Sequence, residues 1–311
     1  MLKKQKIKNN FTPLISVVIP TYNHAKFIGK AIKSLIHQTY QNWEAIVIDN
    51  HSTDQTLNEI KNYPDPRIKY FQINNNGVIA KSRNYGINIS QGDWIAFLDS
   101  DDWWTQDKLE VCVSNIDEEV DFIYHDLETI YDKSKSFFKK NICKGRKLKK
   151  PILNDLLVST IKDGNAIGNS SVMVRKNIFS KIGGISEDLN LVSSEDYNTW
   201  LRIAQITDHF KYLNNILGYI LIHETNVSKK DMSIPQRQAV KEFMHKFDTK
   251  QKLNLEVKFR YISGSYNHLK NNYTKAKEDF IFVIKNGEYN LKIRSLIKIF
   301  INMLKWTNEK I

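Results

Sequence analysis

The segment FLDSDDWW, residues 97–104, places three aspartates within four positions directly after an apolar run. Carboxylates this close together repel one another, and each is more stable beside a positive charge. Asp99, Asp101 and Asp102 offer the hard oxygen ligands that Mg²⁺ and Mn²⁺ prefer. The alternative is a turn in which Asp102 or Thr105 caps the next helix. The segment therefore predicts either a divalent-cation site or a capped turn.

Alternating strands and helices lead up to these aspartates. Short β-branched or apolar runs predict strands, and apolar residues recurring every three or four positions predict helices. In STDQTLNEI, Ser52 and Gln55 have the spacing of a capping box, which predicts a further helix start. Strict alternation implies parallel strands joined by right-handed crossovers, hence an α/β fold. The predicted strands are 15–19, 43–49, 67–73 and 93–99, and the predicted helices between them include 25–38 and 78–90.

Polar clusters follow each of these four strands. In open α/β sheets, ligands bind beyond the carboxyl ends of the strands. Turn chemistry alone explains many Asn, Asp, Gly and Pro residues there. Asp49 and Asp99, however, end apolar strands, where a carboxylate is costly unless it is paired or used. The four clusters are PTYN (20–23), DNHSTD (49–54), NNNG (74–77) and DSDD (99–102).

The rest of the chain divides into a less regular middle and a helical end. We expect a basic tail over 1–13, an α/β domain over 14–230 and a helical region over 231–311. A helix pair with a break near Asn271–Asn272 begins that region. The last helix, 291–306, is amphipathic and basic, and such a helix either lies on a membrane or packs on a core.

Composition restricts the partners. The chain has 311 residues and a net charge of +12, with basic segments at the N-terminus, over 139–150 and from Lys270 onward. These segments suit an anionic membrane surface, or they are solvated faces. No nucleic-acid partner is expected, because no basic motif with interleaved aromatics is present. No apolar run reaches the ~18 residues that span a bilayer, and the N-terminus lacks a secretory pattern.

Cysteine usage indicates the compartment. Cys112 and Cys143 are too few to staple a chain of this length, and reduced thiols are typical of the cytoplasm. We therefore expect a cytoplasmic protein, either soluble or peripheral on the inner face of the membrane.

The first half of the chain resembles glycosyltransferase family 2. The resemblance rests on ISVVIPTYNHAKFIGKAIKSLIHQTYQNWEAIVIDNHSTDQT and NNNGVIAKSRNYGINISQGDWIAFLDSDDWW. It is close over 14–110 and looser to about 225. It implies the GT-A fold, a Rossmann-like, mostly parallel sheet flanked by helices, here with an all-helical C-terminal extension. It also implies inverting, Mn²⁺- or Mg²⁺-assisted transfer of a hexose or N-acetylhexosamine. The donor is a UDP-sugar, and the acceptor is a lipid-linked or polysaccharide glycan of a bacterial surface.

The resemblance assigns donor-binding roles to the strand ends. Asp49 resembles the acid that reads the uracil edge, and Arg83 resembles the residue that reaches the pyrophosphate, whose oxygens match its fork. Asn50 departs from the family pattern, in which most members carry a second acid. The expected nucleotide-sugar residues are Pro20, Thr21, Tyr22, Asn23, Asp49, Asp54, Asn76, Gly77, Arg83, Asn84, Asp99 and Ser100.

The same resemblance assigns a metal site. Asp101 resembles the metal ligand, and Asp102 resembles a second ligand or one that acts through water. His223, at the end of a predicted strand, resembles a late histidine that contacts the metal or diphosphate. A structural histidine is the alternative for that position.

The acceptor side carries the base. SSEDYNTWLRIA resembles the family's Glu-Asp motif, with Asp196 as the base and Glu195 orienting or binding the acceptor. The alternative is a carboxylate pair at a helix N-terminus, favoured by the helix dipole. The residues expected in the acceptor cleft are Trp103, Asn169, Ser170 and Trp200, the last being either a core residue or a cleft wall.

Two other functions fit parts of this pattern. A sugar nucleotidyltransferase would use a related sheet, but PTYNHAKFIG lacks the glycine-rich phosphate loop expected after the first strand. A non-catalytic nucleotide-sugar-binding scaffold would keep the fold without turnover, and the joint presence of Asp101, Arg83 and Asp196 argues against it.

Overall fold

The structure, a computed structural model, describes residues 12–131, 142–143, 164–224, 226 and 230–308. Residues 1–11 of the expected basic tail lie outside the described residues, as does most of the basic segment 139–150. The predictions for them stay predictions.

The first half of the sheet has the alternating order that the sequence predicts. Strands β1, β2, β3 and β4 are parallel and lie in the order β3-β2-β1-β4. Every residue of β1, β2 and β4 is buried, which explains their continuous apolar runs. The elements are β1 (Ile15–Thr21), α1 (Ala25–Ile36), β2 (Trp43–Asp49), α2 (Thr56–Lys61), β3 (Ile68–Gln72), α3 (Ile79–Ile89) and β4 (Trp94–Phe97).

The second half completes a mixed sheet. Among the described residues nine strands form one sheet, in the order β3-β2-β1-β4-β8-β6-β9-β5, with β7 paired to β6. Strands β6 and β9 run in the same direction as β1 to β4, whereas β5, β7 and β8 run against them. The elements are β5 (Trp103–Trp104), α4 (Lys108–Val113), β6 (Phe122–Tyr131), β7 (Ile142–Cys143), β8 (Met173–Arg175), α5 (Lys176–Ile182) and β9 (Phe210–Ile222).

The remaining elements are helices. The predicted break near Asn271–Asn272 is confirmed, because one helix ends at Leu269 and the next begins at Tyr273. In the described part of the chain, no helix has both the length and the hydropathy needed to cross a bilayer. The helices are α6 (Glu195–Ala204), α7 (Ser233–Lys241), α8 (Thr249–Leu269), α9 (Tyr273–Asn286) and α10 (Tyr289–Asn308).

The chain forms two compact units whose limits differ from the expected boundary at residue 230. The described residues of the first unit are 12–131, 142–143, 166–185 and 207–222, and the others belong to the second. Helix α6 belongs to the second unit because it is tied to the helical end of the chain. The Asn198 side chain on α6 donates hydrogen bonds to the Ala239 carbonyl at 3.1 Å and to Glu242 at 2.8 Å.

The predicted capping box at Ser52 and Gln55 is wrong. Helix α2 begins at Thr56, and its N-terminal cap makes no side-chain hydrogen bond. The Ser52 hydroxyl instead donates to Asp49 at 2.5 Å, and Asp54 accepts the Thr56 backbone N–H at 3.0 Å. Ser52 therefore serves the end of β2, and it is Asp54 that accepts a backbone N–H at the start of α2.

Lys108 is a cation inside the core of the first unit. It is fully buried, its Nζ has no hydrogen-bond partner among the described residues, and it lies 3.8 Å from the centroid of the Trp104 ring. Burial lowers the pKa of Lys108 to about 8. The cation–π contact offsets only part of the desolvation cost, since such contacts stabilise by roughly 0.5–2 kcal/mol.

Replacing Lys108 by Met should therefore stabilise the protein. We expect the free energy of unfolding at pH 7 to rise by about 1–3 kcal/mol, because a pKa unit corresponds to ~1.4 kcal/mol. The wild type should gain stability as the pH rises from about 8 towards the unfolded pKa of 10.5, and the variant should lack that gain. Urea unfolding at several pH values measures both effects. Lys61→Met, on an exposed face of α2, is the control, and a less stable Lys108→Met protein would contradict the prediction.

Candidate active site

Asp49 ends β2 as a fully buried carboxylate. It accepts hydrogen bonds from the Ser52 backbone N–H at 3.1 Å and from the Tyr70 hydroxyl at 2.7 Å, besides the Ser52 hydroxyl. Burial and the Asp49 charge raise the pKa of Tyr70. All these donors are neutral groups, and together they hold the carboxylate at the end of the strand.

The loops after β1 and β2 are tied together by two more of the expected nucleotide residues. Asn23 has a left-handed backbone, with φ of 51°, and its side-chain oxygen accepts the Thr53 N–H at 2.8 Å. Asp54 accepts the Ala25 N–H at the start of α1 at 3.0 Å. Tyr22, next to Asn23, is 52% exposed, whereas Pro20 and Thr21 are buried. The arrangement leaves an exposed aromatic ring on a braced loop.

Asp99 is the centre of a network at the end of β4. Its Oδ1 accepts hydrogen bonds from Arg83 Nη2 and from the Asn169 amide, each at 2.9 Å. Its backbone N–H donates to the Ser170 hydroxyl oxygen at 3.1 Å. Arg83 is 3% exposed. A positive charge therefore does stand beside the aspartates, fixed by the first of them.

Asp102 points inward and is only 5% exposed. It accepts a hydrogen bond from the Ser170 hydroxyl at 2.6 Å and from the Leu221 N–H at 3.2 Å. Burial, and then the charges of Asp101 and Asp99, raise its pKa well above the ordinary value. The capped-turn interpretation is wrong, because the cap of α4 is Asp107 and makes no side-chain hydrogen bond to the helix.

Asp101 lines an open cleft of about 320 Å³. In this cleft, the Lys30 ammonium lies 3.0 Å from the Trp103 ring centroid, and the same ring stacks on Tyr219 at 5.3 Å. Burial lowers the pKa of Lys30. The lining residues are Lys26, Phe27, Lys30, Asp101, Trp103, Ile130, Tyr131 and Leu221.

Sequence reasoning did not find some of these neighbours. Lys26 and Lys30 are four residues apart on α1, a spacing that places them on one face of the helix and could have signalled a basic rim. His24 Nδ1 lies 2.7 Å from the Ser100 hydroxyl, which joins the β1 loop to the DSDD segment. Only the fold brings these positions together.

Three other expected donor residues have structural partners. The Asn84 side-chain amide binds both the C=O and the N–H of Ile185, at 2.8 and 2.9 Å. Asn76 and Gly77 have left-handed backbones, with φ of 53° and 77°. Asn75, which sequence reasoning missed, holds that turn by accepting the Gly77 N–H at 2.8 Å. The part these residues take in binding a donor stays a prediction.

The expected catalytic pair begins α6 in the second unit. Glu195 is 5% exposed and accepts the Ser193 N–H at 2.7 Å. Asp196 is half-buried and accepts a hydrogen bond from the Asn165 amide at 3.2 Å. The hydroxyl of Ser194, at the helix cap, makes no capping bond.

Two other predicted residues of this unit are buried. Trp200 is 1% exposed, which fits the core role among the two that the sequence left open. His223 is 6% exposed, and its backbone N–H donates to Asn226 at 2.5 Å. Its contact with a metal or diphosphate stays a prediction.

The carboxylates of the DSDD segment fit a divalent cation that is also held by phosphate oxygens of a bound substrate. Among the described residues no three His, Cys, Asp or Glu side chains come together as a complete cage. Asp101 faces the cleft, while Asp102 and Asp99 accept hydrogen bonds behind it. Mg²⁺ and similar ions commonly take one or two carboxylates and complete their shell with phosphate oxygens and water.

Comparison with known proteins identifies the family. The chain belongs to glycosyl transferase family 2, whose model matches residues 16–182. A UDP-Glc:alpha-D-GlcNAc-diphosphoundecaprenol beta-1,3-glucosyltransferase, WfgD of Escherichia coli, is 31% identical over 62% of this chain and 70% of its own length. The chain spans 51% of the length of the first curated relative that it matches.

Solved structures confirm the GT-A fold. S. aureus TarS 1–349 in complex with UDP-GlcNAc superposes with a TM-score of 0.61 at 19% identity, over 93% of this chain and 88% of that one. The mannosyltransferase PcManGT from Pyrobaculum calidifontis in complex with GDP-Man and Mn²⁺ gives a TM-score of 0.62 at 14% identity, over 96% and 84%.

Ser170 should be a positioning residue for the aspartates. Replacing it by Ala removes the hydroxyl that binds both Asp102 and the Asp99 backbone, and leaves a buried carboxylate with one partner fewer. We expect a loss of about 1–3 kcal/mol in the free energy of unfolding, measured by urea denaturation. Ser171→Ala is the control, because that hydroxyl donates to the Gly168 carbonyl at 2.7 Å instead of to an aspartate. Equal losses in the two variants would contradict the role of Ser170.

Proposed function

We propose that this chain is an inverting glycosyltransferase. It moves a hexose or N-acetylhexosamine from a UDP-sugar to a hydroxyl of a lipid-linked or polysaccharide glycan acceptor. The observation that carries the proposal is the network in which Arg83, Asn169 and Ser170 fix Asp99 and Asp102 and leave Asp101 at an open cleft. This network lies within the residues matched by the family.

The donor is bound at the carboxyl edge of the sheet. The Asp49 carboxyl group accepts the imide N–H of uracil, and the Tyr22 ring offers an exposed surface for stacking. Asn50 uses its side-chain oxygen to hold the Asn75 backbone at 2.9 Å, so it braces the pocket instead of supplying a second acid. WfgD uses UDP-Glc by name, and TarS was solved with UDP-GlcNAc. PcManGT was solved with GDP-Man, so the nucleobase that this chain binds needs a direct test.

Asp101 would hold Mn²⁺ or Mg²⁺ at the cleft, and Asp102, which lies behind it, would hold the ion through a water molecule. Such an ion, when bound, supplies Lewis-acid stabilisation of the negative charge on the departing diphosphate. Arg83, already oriented by Asp99, supplies a second positive charge that costs little reorganisation.

Asp196 is the general base of the transfer. It takes the proton of the acceptor hydroxyl while that oxygen attacks the anomeric carbon. The bond from this carbon to the diphosphate oxygen breaks with its electron pair leaving on UDP, and the configuration inverts. Glu195 has its carboxylate bound to the Ser193 backbone, which suits a residue that fixes the loop before Asp196.

The kind of acceptor determines where in the cell the reaction takes place. WfgD acts, by its name, on a sugar linked to diphosphoundecaprenol, a lipid carrier. A similar acceptor here would place the reaction at the cytoplasmic face of a membrane, in the synthesis of a surface polysaccharide.

Asp101→Asn tests the metal and diphosphate role. We expect wild-type protein to bind UDP in calorimetry with Mn²⁺ present, and the variant to lose at least tenfold in affinity, because a neutral amide holds the cation poorly. The control is Asp93→Asn, because Asp93 is an exposed carboxylate directly before the start of β4, whereas the aspartates follow its end. UDP binding that depends neither on Mn²⁺ nor on Asp101 would overturn this role. Tighter binding of GDP than of UDP would overturn the assignment of a UDP-sugar as the donor.

Asp196→Asn tests the base. The amide cannot take the acceptor proton, so we expect kcat to fall by about 10²–10⁴-fold while Mn²⁺-dependent UDP binding is retained. The measurement is sugar transfer from a panel of UDP-sugars to diphosphoundecaprenol-linked acceptors. Asp188→Asn, an acid of the same unit whose side chain binds Asn190, is the control. Full turnover by Asp196→Asn would exclude it as the base.

A further inference from the structure

Helix α10 carries its apolar stripe on the solvent side. At ~3.6 residues per turn, Ile293, Ile297 and Phe300 follow one another along a single face. They are 38%, 53% and 62% exposed, and Leu296 and Ile301 beside them are 53% and 37% exposed. The sequence left open whether this stripe packs on a core. It does not, since these side chains point away from the unit.

The opposite face of α10 is polar and packs inward. Ser295 and Asn302 are 0% and 4% exposed. Lys298 donates to the Ser265 hydroxyl on α8 at 2.7 Å, and Asn302 is hydrogen-bonded to His268. A surface helix of a globular protein normally shows the reverse arrangement, with apolar residues inward and polar residues outward. The outward stripe therefore calls for an apolar environment of its own.

The charge of α10 indicates what that environment is. The helix contains four basic residues, Lys292, Arg294, Lys298 and Lys305, and no acidic residue. Helix α9 carries three exposed lysines against one exposed acid, Glu278; the lysines are Lys275, Lys277 and Lys285. Two copies of α10 packed face to face would bring like charges together, because the helix has no acidic residue to compensate them. An anionic lipid surface, by contrast, accepts both the apolar stripe and the positive charges beside it.

We propose that α10 is an interfacial anchor that lies flat on an anionic bilayer. Ile293, Ile297 and Phe300 enter the boundary between headgroups and acyl chains, and Arg294 lies among the lipid phosphates. This inference goes beyond the proposed function, because it concerns a face of the second unit and holds whichever sugar is transferred.

Vesicle sedimentation of the full chain tests the anchor. The probes are phosphatidylcholine vesicles with and without about one-third phosphatidylglycerol, in the absence of any sugar donor. We expect at least tenfold stronger partition onto the anionic vesicles, and a steep decrease as salt shortens the screening length. The double variant Ile297→Asp/Phe300→Asp should lose at least tenfold in partition, and Arg294→Glu severalfold.

The matched control is Ile234→Asp, which places the same charge at a 64% exposed isoleucine of α7 and should leave the partition unchanged. Circular dichroism and Mn²⁺-dependent UDP binding of each variant report folding and the donor site separately from the membrane. If the double variant does not fold, Ile297→Asn carries the same test.

Three results would overturn the anchor. The first is no binding of the wild type to anionic vesicles. The second is equal binding by wild type and double variant. The third is a dimer that the double variant dissociates while vesicle binding is absent, which would assign the face to a second copy of the chain. None of these results bears on sugar transfer, and loss of sugar transfer with intact vesicle binding would count only against the proposed function.

Discussion

The pair between Arg83 and Asp99 is the interaction on which the site depends. The guanidinium is almost completely buried and bonded to a carboxylate at 2.9 Å. A buried charge is tolerated only with a well-placed partner, and removing one member leaves the other uncompensated. The pair therefore fixes α3 against the end of β4. Asn169 shares the same carboxylate oxygen, which adds the segment before β8 to this arrangement.

This pair also explains how three aspartates coexist within four positions. Asp99 has the cation, and Asp102 has two hydrogen-bond donors together with a raised pKa. A raised pKa favours the neutral form of a carboxyl group, and this form repels neighbouring carboxylates less than the charged form does. Asp101 is left to face the cleft. The three aspartates thus lie in three different environments, and of the three carboxylates only that of Asp101 is directed at a ligand.

Much of the fold could be predicted from the sequence, because its signals are local. Strands β1, β2 and β4 follow from buried apolar runs and β3 from a short β-prone run, and their alternation with helices makes them parallel. The two-residue strand β5 could not be predicted, since its pairing with Tyr219 and Gly218 of β9 joins residues more than a hundred positions apart. The grouping of α6 with the second unit likewise depends on Asn198 and its distant partners.

The residues of the candidate site at the strand ends could be predicted from the sequence. The residues that hold them in place through hydrogen bonds were harder to predict. Asp49, Asp99 and Asp101 stand out because a carboxylate after an apolar strand needs a reason. Ser170 does not stand out, since a serine in a short polar segment has many uses. Its contact with Asp102 across 68 positions exists only in the folded chain. Local capping rules were misleading at Ser52, because its hydroxyl donates to the buried Asp49 and its oxygen accepts the Asn23 backbone N–H at 2.8 Å.

Helix α10 shows what a periodic pattern leaves undetermined. Periodicity establishes that Ile293, Ile297 and Phe300 share a face, but it is the same whether that face points inward or outward. The direction is decided by the other side of the helix. There, Lys298 and Asn302 are hydrogen-bonded to residues of α8. If the helix rotated so that apolar side chains faced inward, these bonds would be lost and the buried partners on α8 would be left unsatisfied. The polar contacts of the inner face therefore hold the apolar face at the surface, where a lipid bilayer can receive it.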